Sequence, residues 1–445
     1  MRLYELLSGA GIECPEDLCD IDITKIVTDS RKASKGCMFV CIDGIHTDGH
    51  KFIKNAVSAG ASVIVTETLR DECVGGAATV KVMNTRRAVS LLYNSWHGDP
   101  AGKLKIVGVT GTNGKTSVAC ILRHIFEKCG KRCGFVGTLG CFSLGKRIET
   151  SPTDPLSNMT TPDPEVLYAV LAKMVEDGVE YVFMEATSHA SALCKLDAIT
   201  FDTLIYTNLT RDHLDFHQSM ENYLGAKAKL FERCRRAVIN VDDKYAPDIV
   251  RACGAKEIVL CSCENKKCDF AASNILRGGG DGFLMRVRSE KVDIDVQIKV
   301  PLEGRFSPTN SLEAIAAASC YGIAKSELVT SLEDFSGVDG RMQKVEIKKD
   351  CTFSVYVDYA HTPDALQNIL LSARDILSFE KAPTERGRLI LLFGCGGERD
   401  RGKRKEMGRI ASSLADFVIV TSDNCRGEDP CEIISDIYKG IDKEK

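Results

Sequence analysis

The stretch IVGVTGTNGKTSVACIL, residues 106–122, constrains this chain more than any other. An apolar run, Ile106 to Val109, meets a Gly-Thr-Asn-Gly turn. Lys115-Thr116-Ser117 then opens a second apolar run at helical spacing. The order is strand, phosphate loop, helix. Such a loop turns backbone N–H groups and a helix N-terminus toward phosphate oxygens, with Lys115 on the outer phosphates and Thr116 on Mg²⁺. The loop departs from G-x-x-x-x-G-K-[ST], because Val109 stands where the first glycine belongs. The flanking strand and helix still make Gly111, Thr112, Asn113, Gly114, Lys115, Thr116 and Ser117 a nucleotide site. What receives the phosphate is the open question.

A chain of 445 residues points to two to four domains. Its 44% hydrophobic and 27% charged residues are globular values. A net charge of −4 argues against a nucleic-acid sweep or an anionic membrane surface. No run approaches a membrane span, so no membrane insertion is expected. The N-terminal MRLYELLSGAGIECPED lacks a signal peptide's basic region and long apolar core, which points to the cytoplasm. There the 20 cysteines are reduced thiols rather than a disulfide framework. The tightest group, Cys261, Cys263 and Cys268, lacks zinc spacing and has no nearby histidine, so scattered buried thiols are the better reading.

Residues 1–98 carry short αβ units, with strands near 37–42 and 62–66 and a helix from about 51 to 59. SWHGDPAGK, 95–103, is a turn-rich linker. From 104 to about 265, apolar strands (YVFMEA, DTLIYTNL, RAVINV, EIVLCS) alternate with helices. That alternation predicts a mainly parallel sheet covered on both faces. Residues 267–300 predict an antiparallel ribbon, with RGGGDG as its hairpin turn. SPTNSLEAIAAASCYG is a helix with Ser307 or Thr309 as its cap. From about 340, FSVYVDYA, RLILLFG and DFVIVTSDN alternate with helices at 363–377, 402–413 and 430–439. They predict a small open α/β sheet with ligand-binding residues at its strand ends. The α/β chain thus divides into domains 1–98, 99–338 and 339–445.

Two further patterns carry chemistry. Glu185 closes the strand in MEATSHA and is either a metal ligand or a loop carboxylate. TNLTRDHLDFH, 207–217, packs two Asp and two His into six residues on the same predicted sheet edge, which suits metal work by one histidine. YLGAKAKLFE, taken alone, is an ordinary helix with two solvated lysines.

In order, TGTNGKT, MEATSHA, NLTRDHLDFH, YLGAKAKLF, GRFSPTNSLEAIAAA, GVDGRMQ and VDYAHTPDALQN resemble the motifs of the Mur ligases. TDSRKASKGCMFVCIDGIHTDGHKFI, FGCGGERDRGKR and SDNCR resemble the MurE type. The resemblance covers the chain from about residue 24 to its end. It implies three domains: a small α/β UDP-binding domain, a central P-loop-type ATPase domain, and a C-terminal Rossmann-like domain. It also implies a cytoplasmic, monomeric enzyme that uses ATP and Mg²⁺ to add an amino acid to UDP-MurNAc-L-Ala-D-Glu. The phosphate acceptor is then a carboxylate, which becomes an acyl phosphate that an amine can attack.

By the same resemblance, Lys227 is the lysine of Y-x-x-A-K that CO₂ carboxylates to a carbamate serving a second Mg²⁺. Only a neutral amine reacts with CO₂, so its pKa must be lowered by burial or nearby cations. His213, Glu185 and Thr116 are metal ligands, and Lys115, Lys227, His213 and Glu185 form the catalytic set. Asn310 resembles an adenine contact, and Arg341, Asp358 and His361 resemble residues that the C-terminal domain brings onto ATP. Ser30, Thr160, Thr161 and Ser188 resemble contacts to the UDP-sugar peptide. Lys195 stands where the family usually has arginine, keeping the charge without the bidentate fork.

The added amino acid is expected to be meso-diaminopimelate. The family's D-N-P-R matches Asp423-Asn424-Cys425-Arg426 here, with Arg426 facing the distal carboxylate and Arg399 as the second arginine. Cys425 replaces proline and loosens the turn. Relatives of this type continue past YKGIDKEK, so a shortened C-terminal domain is expected. Two other readings compete: a Mur-like ligase for another amine, and a shortened non-catalytic paralogue that binds UDP-MurNAc peptide. The intact Lys115, Glu185, His213 and Lys227 weigh against the paralogue. The N-terminal TDSRK motif weighs against a folylpolyglutamate synthetase.

Overall fold

The computed structural model describes the chain except residues 45–46, 69–75, 150–158, 265–266, 279–281, 348–350, 381–386 and 443–445. The chain forms two compact units, residues 1–106 with 132–202, and residues 107–131 with 203–445.

The first unit opens with a four-stranded parallel sheet, Ile26–Val27, Met38–Val40, Val63–Thr66 and Ala78–Lys81, in sequence order. Its middle strands are buried throughout, as the near-continuous apolar runs MFV and VIVT require of a covered parallel sheet. The same unit holds the strand Tyr181–Glu185 parallel to Cys133–Gly137, which continues antiparallel into Gly140–Ser143. Tyr181–Glu185 is also wholly buried and delivers Glu185 at its C-terminal end.

In the second unit, residues 107–110 lie parallel to residues 203–206. The sheet runs on through Cys234–Asn240, Glu257–Ser262 and Phe270–Gly278. It ends in the antiparallel strands Gly282–Ser289 and Ile294–Val300. The predicted ribbon is therefore present, and the centre of its RGGGDG turn falls outside the described residues. The helices Lys115–Lys128 and Ser307–Ser319 pack against one another. The second helix is buried on nearly all sides, which its alanines permit. Its N-cap is Phe306, not Ser307 or Thr309. Ser307 instead donates its hydroxyl to the Glu303 carbonyl at 2.5 Å.

The predicted C-terminal sheet is divided. Val355–Val357 pairs antiparallel with Gln343–Val345, and Ile390–Phe393 pairs parallel with Phe417–Val420. Among the described residues, these two pairs form separate two-stranded sheets rather than one open sheet. The helices Pro363–Glu380, Gly402–Leu414 and Pro430–Tyr438 cover one face of the parallel pair through Leu370, Phe393, Met407, Ile410 and Ile437. Ile390, Leu392, Phe417 and Ile419 are exposed. Among the described residues, no helix is long and apolar enough to cross a membrane.

Glu313 is an acid inside this packing. It is fully buried on the helix Ser307–Ser319, and neither carboxyl oxygen has a hydrogen-bond partner among the described residues. Burial, then the charges of Asp242 and Asp243, push its pKa well up. The folded state keeps a proton that the unfolded chain releases above about pH 4.3, so stability falls as pH rises past that value. Glu313→Gln should abolish this slope, up to about 1.4 kcal/mol per pH unit. Urea midpoints of both proteins between pH 5 and 8 check it; parallel curves would refute it.

Candidate active site

The phosphate loop owes its shape to two glycines with positive φ, Gly111 at 154° and Gly114 at 88°. A Cβ on Gly111 would stand 1.9 Å from Thr207 Oγ1, and one on Gly114 would stand 2.6 Å from Asn310 Oδ1. No side chain fits at either position. The loop is braced by the segment after the strand Phe201–Tyr206. The Thr112 amide donates to the Asn208 carbonyl at 2.9 Å, and the Asn113 amide donates to Asn208 Oδ1 at 3.0 Å. Thr207 Oγ1 donates to the Asn113 carbonyl at 2.6 Å. Lys115 Nζ donates to the Gly111 and Thr112 carbonyls at 3.1 and 2.9 Å.

Lys227 meets the same loop. It sits on the helix Met220–Phe231, capped by Ser219, and is 1% exposed. Its Nζ donates to the Gly111 carbonyl at 2.7 Å and lies 4.6 Å from the Tyr223 ring centroid. The Tyr223 hydroxyl is 3.1 Å from Thr112 Oγ1, and the His217 ring stacks on Tyr223 at 4.9 Å. Burial and the nearby Lys115 charge hold the Lys227 pKa well below the usual lysine range, against the pull of Asp212. Burial and the Lys227 charge likewise lower His217 to about 4. A sequence reader sees two lysines on one helix, whereas the fold buries one of them against the phosphate loop and lowers its pKa.

Residues from beyond 340 reach this loop within the same unit. Arg341 Nη2 donates to Thr116 Oγ1 at 2.9 Å, with its guanidinium 4.8 Å from the Tyr359 ring. Asp358 accepts the Met342 and Ala360 amides, each at 2.7 Å, and burial raises its pKa despite them. His361 Nε2 stands 3.5 Å from Asp212 Oδ2. Two participants lay inside quoted motifs but were given no role there: Asp364, which accepts from Asn113 Nδ2 at 2.8 Å, and the buried Asp212. Burial works against the Asp212 charge, but the His361 hydrogen bond, His213 and Lys403 hold its carboxyl well below the usual range. Asn310 and Ser117 line a cavity of about 570 Å³ together with Phe306, Val338, Arg341 and Met342. The lining mixes apolar Phe306, Val338 and Met342 with charged Lys299, Glu303, Asp339 and Lys344.

The loops 394–399 and 421–426 abut at the C-terminal ends of their strands. Arg426, at φ 51°, donates from Nη1 to the Gly397 carbonyl at 2.7 Å, and the Gly397 amide donates to the Asn424 carbonyl at 2.9 Å. Cys425 Sγ donates to the Asp423 carbonyl at 3.5 Å. Arg399 lies on the first of these loops.

In the first unit, Glu185 is 1% exposed and accepts the Thr138 amide at 2.8 Å and the Thr138 hydroxyl at 3.2 Å. Thr160 Oγ1 is 3.1 Å from Thr138 Oγ1, and Thr161 Oγ1 donates to the Glu185 carbonyl at 2.8 Å. Ser188 opens a short helix capped by Thr187. Lys195 Nζ is paired with Asp163 at 2.5 Å, so its charge is held in place although it lacks the guanidinium fork. Ser30 opens the turn Ser30–Lys32, whose cap, Asp29, is lowered in pKa by the Arg31 hydrogen bond.

Among the described residues, no three His, Cys, Asp or Glu form a metal cage. Mg²⁺ does not need one, since it binds through one or two protein oxygens, waters and substrate phosphates. The Thr116 hydroxyl, beside loop amides that suit phosphate, fits that pattern.

Comparison with known proteins gives one consistent result. Residues 22–94 match the model described as Mur ligase family, catalytic domain, and residues 109–318 match the Mur ligase middle domain. Residues 340–444 match the Mur ligase, glutamate ligase domain. A UDP-N-acetylmuramoyl-L-alanyl-D-glutamate--2,6-diaminopimelate ligase from Clostridium botulinum is 39% identical over 95% of this chain and 84% of its own length. A solved structure of a ligase of that name is 30% identical, with a TM-score of 0.71 over 99% of this chain and 87% of that one. MurF from Acinetobacter baumannii, 18% identical at TM-score 0.61 over 99% and 88% of the two chains, shares the fold. The shortened C-terminal domain expected from the sequence finds no support in these lengths.

Proposed function

This chain belongs to the Mur ligase family, and from that premise we propose that it adds meso-2,6-diaminopimelate to the D-Glu carboxylate of UDP-MurNAc-L-Ala-D-Glu at the expense of ATP. The observation that carries the ligase chemistry is Lys227, a buried amine of lowered pKa on the Gly111 carbonyl of the phosphate loop. The diaminopimelate assignment rests on the names of the relatives and on the Arg426 loop.

A carboxylate is a poor electrophile, so its oxygen first attacks the γ-phosphorus of ATP. The bond to the β-phosphate oxygen breaks, and ADP leaves. The amine nitrogen then attacks the acyl phosphate carbon and gives up a proton, and phosphate leaves as the amide forms. Loop amides and Lys115 hold the phosphates, Arg341, bonded to Thr116, adds positive charge beside them, and Asn310 holds the adenine. Thr116, His213 and carboxylated Lys227 would hold Mg²⁺, which would neutralise phosphate charge; Glu185 is the metal-ligand candidate of the first unit. Ser30, Thr160, Thr161, Ser188 and Lys195 bind the UDP-sugar peptide. Asp358 and His361 steady the nucleotide edge, and Arg399, Asp423, Asn424, Cys425 and Arg426 form the amino-acid site. A UDP-linked substrate and ATP place the reaction in the cytoplasm.

The test is phosphate release with UDP-MurNAc-L-Ala-D-Glu, ATP and Mg²⁺, comparing diaminopimelate with lysine. Wild type should prefer diaminopimelate. Arg426 is exposed, so it gives up less hydration when lysine binds than a buried fork would. Arg426→Ala should therefore raise the diaminopimelate KM by about 10- to 100-fold, the loss of a charge-assisted pair. The KM for the UDP substrate should not move. Equal use of lysine and diaminopimelate by wild type would sink the assignment.

A further inference from the structure

Arg404 is a buried cation outside the ligand sets named above. It sits in the first turn of the helix Gly402–Leu414 and is 1% exposed. Its guanidinium forks onto Glu428, with Nη1 donating to Oε2 at 3.0 Å and Nη2 to Oε1 at 2.9 Å. Nη1 also donates to Asp436 Oδ2 at 3.1 Å, and Nη2 to the Gly396 carbonyl at 3.4 Å. Glu428 Oε1 accepts the Glu398 amide as well, and Oε2 lies 2.8 Å from Arg401 Nη2. The Arg404 bond, then the Glu398 amide, hold the Glu428 carboxyl down to about 2, so it is an anion near neutral pH.

These groups tie together the two loops that carry Arg399 and Arg426. Glu428 follows the second loop, where its amide donates to the Cys425 carbonyl at 3.0 Å, and its carboxylate reaches back to the first. The loops approach closely. A Cβ on Gly397 would stand 1.9 Å from the Cys425 carbonyl oxygen, and one on Gly427 would stand 2.6 Å from Glu398 Oε1. Glu398 and Arg426 both have φ 51°, a left-handed conformation that such residues keep only where their surroundings hold it. Glu428 holds the Glu398 amide, and the Gly397 carbonyl holds the Arg426 guanidinium. A buried ion pair adds little net stability over apolar packing, because desolvation of both charges offsets their attraction. What this pair supplies is direction. A planar fork fixes the carboxylate plane of Glu428, and Glu428 then fixes the backbone one residue before Arg399.

We propose that Arg404 and Glu428 are positioning residues for the amino-acid site: their buried fork locks the two loops together and sets where Arg399 and Arg426 stand for the incoming amino acid. The proposal rests on the reading of these loops as the amino-acid site given above.

Glu428→Gln keeps the size and removes the charge that grips the fork. In the full-length protein it should raise the diaminopimelate KM about 10- to 100-fold, the scale of a misplaced binding group. The KM values for ATP and the UDP substrate should not move. Arg404→Met should act in the same direction, and Arg404→Lys, which keeps the charge without the fork, should fall between it and wild type. Glu428→Gln carries the test if Arg404→Met does not fold. Asp436→Asn removes the remaining carboxylate partner of Arg404, which lies on the helix Pro430–Tyr438 outside both loops. It should lower the urea midpoint and leave the diaminopimelate KM alone. An unmoved diaminopimelate KM in folded Glu428→Gln would overturn the proposal. So would an equal rise in Asp436→Asn, the mark of general loosening. Either result would leave the ligase function standing. A wild type that joins another amine and refuses diaminopimelate would overturn the substrate assignment, and the same comparison on that amine's KM would then decide the proposal.

Discussion

Lys227→Ala should reduce amide formation by roughly a thousandfold, the scale of losing a preorganised charge at a phosphoryl-transfer centre. The cause is specific to the environment of this side chain. Its amine is buried, donates to Gly111 and lies near the positive Lys115, so the ammonium form is disfavoured. A neutral amine attacks CO₂, and the resulting carbamate is an anion. The Lys115 charge that opposed the ammonium then favours the product, so one feature both opens the reaction and stabilises its outcome. Acetate or propionate added to Lys227→Ala should restore part of the rate by supplying a carboxylate in the vacated space. A carbamate carbon signal should appear in wild type with ¹³C-bicarbonate and be lost in the variant. Lys229→Ala, two residues along on a partly exposed position, should keep its activity. Near-normal turnover by Lys227→Ala would end this account.

Lys115→Ala should be nearly as damaging to turnover, and it separates the two substrates. One lost charge-assisted contact of about 1.5–3 kcal/mol raises the ATP Kd by about 10- to 150-fold. Turnover should fall by about 10²- to 10³-fold, because the charge is worth more as the phosphoryl group moves. The proposed UDP-sugar residues Ser30, Thr160, Thr161, Ser188 and Lys195 belong to the first unit, and Lys115 belongs to the second. Calorimetry should therefore show UDP-MurNAc-peptide binding intact in the variant. Loss of both ligands by a folded Lys115→Ala would contradict the layout.

The parts of this protein that local chemistry decides were legible in its sequence. The strand, loop and helix around Gly111 follow from an apolar run, two glycines at positive φ and a helical apolar period, all within seventeen residues. The alternation after residue 104 likewise sets a mainly parallel sheet, since such strands need helices on both faces. The motif order singled out Lys227, His213 and Arg341 as candidates. It could not supply their environments.

Tertiary structure decided the rest, because burial and charge depend on which distant segments come together. Lys227 and Lys229 look equivalent on one helix, and only packing against Gly111 buries one of them and lowers its pKa. Asp212 is one acid among several in a polar turn until His361 and Lys403, 149 and 191 residues later, close on it. Asp364 pairs with Asn113 across 251 positions. Glu313 hides in an alanine-rich helix, and nothing in its neighbours along the chain tells that both its oxygens are sealed from water. Sequence specifies which side chains are available and which local turns can form. The pKa of an amine or the orientation of an imidazole is set by the dielectric and the charges around it, and those exist only once the chain has folded.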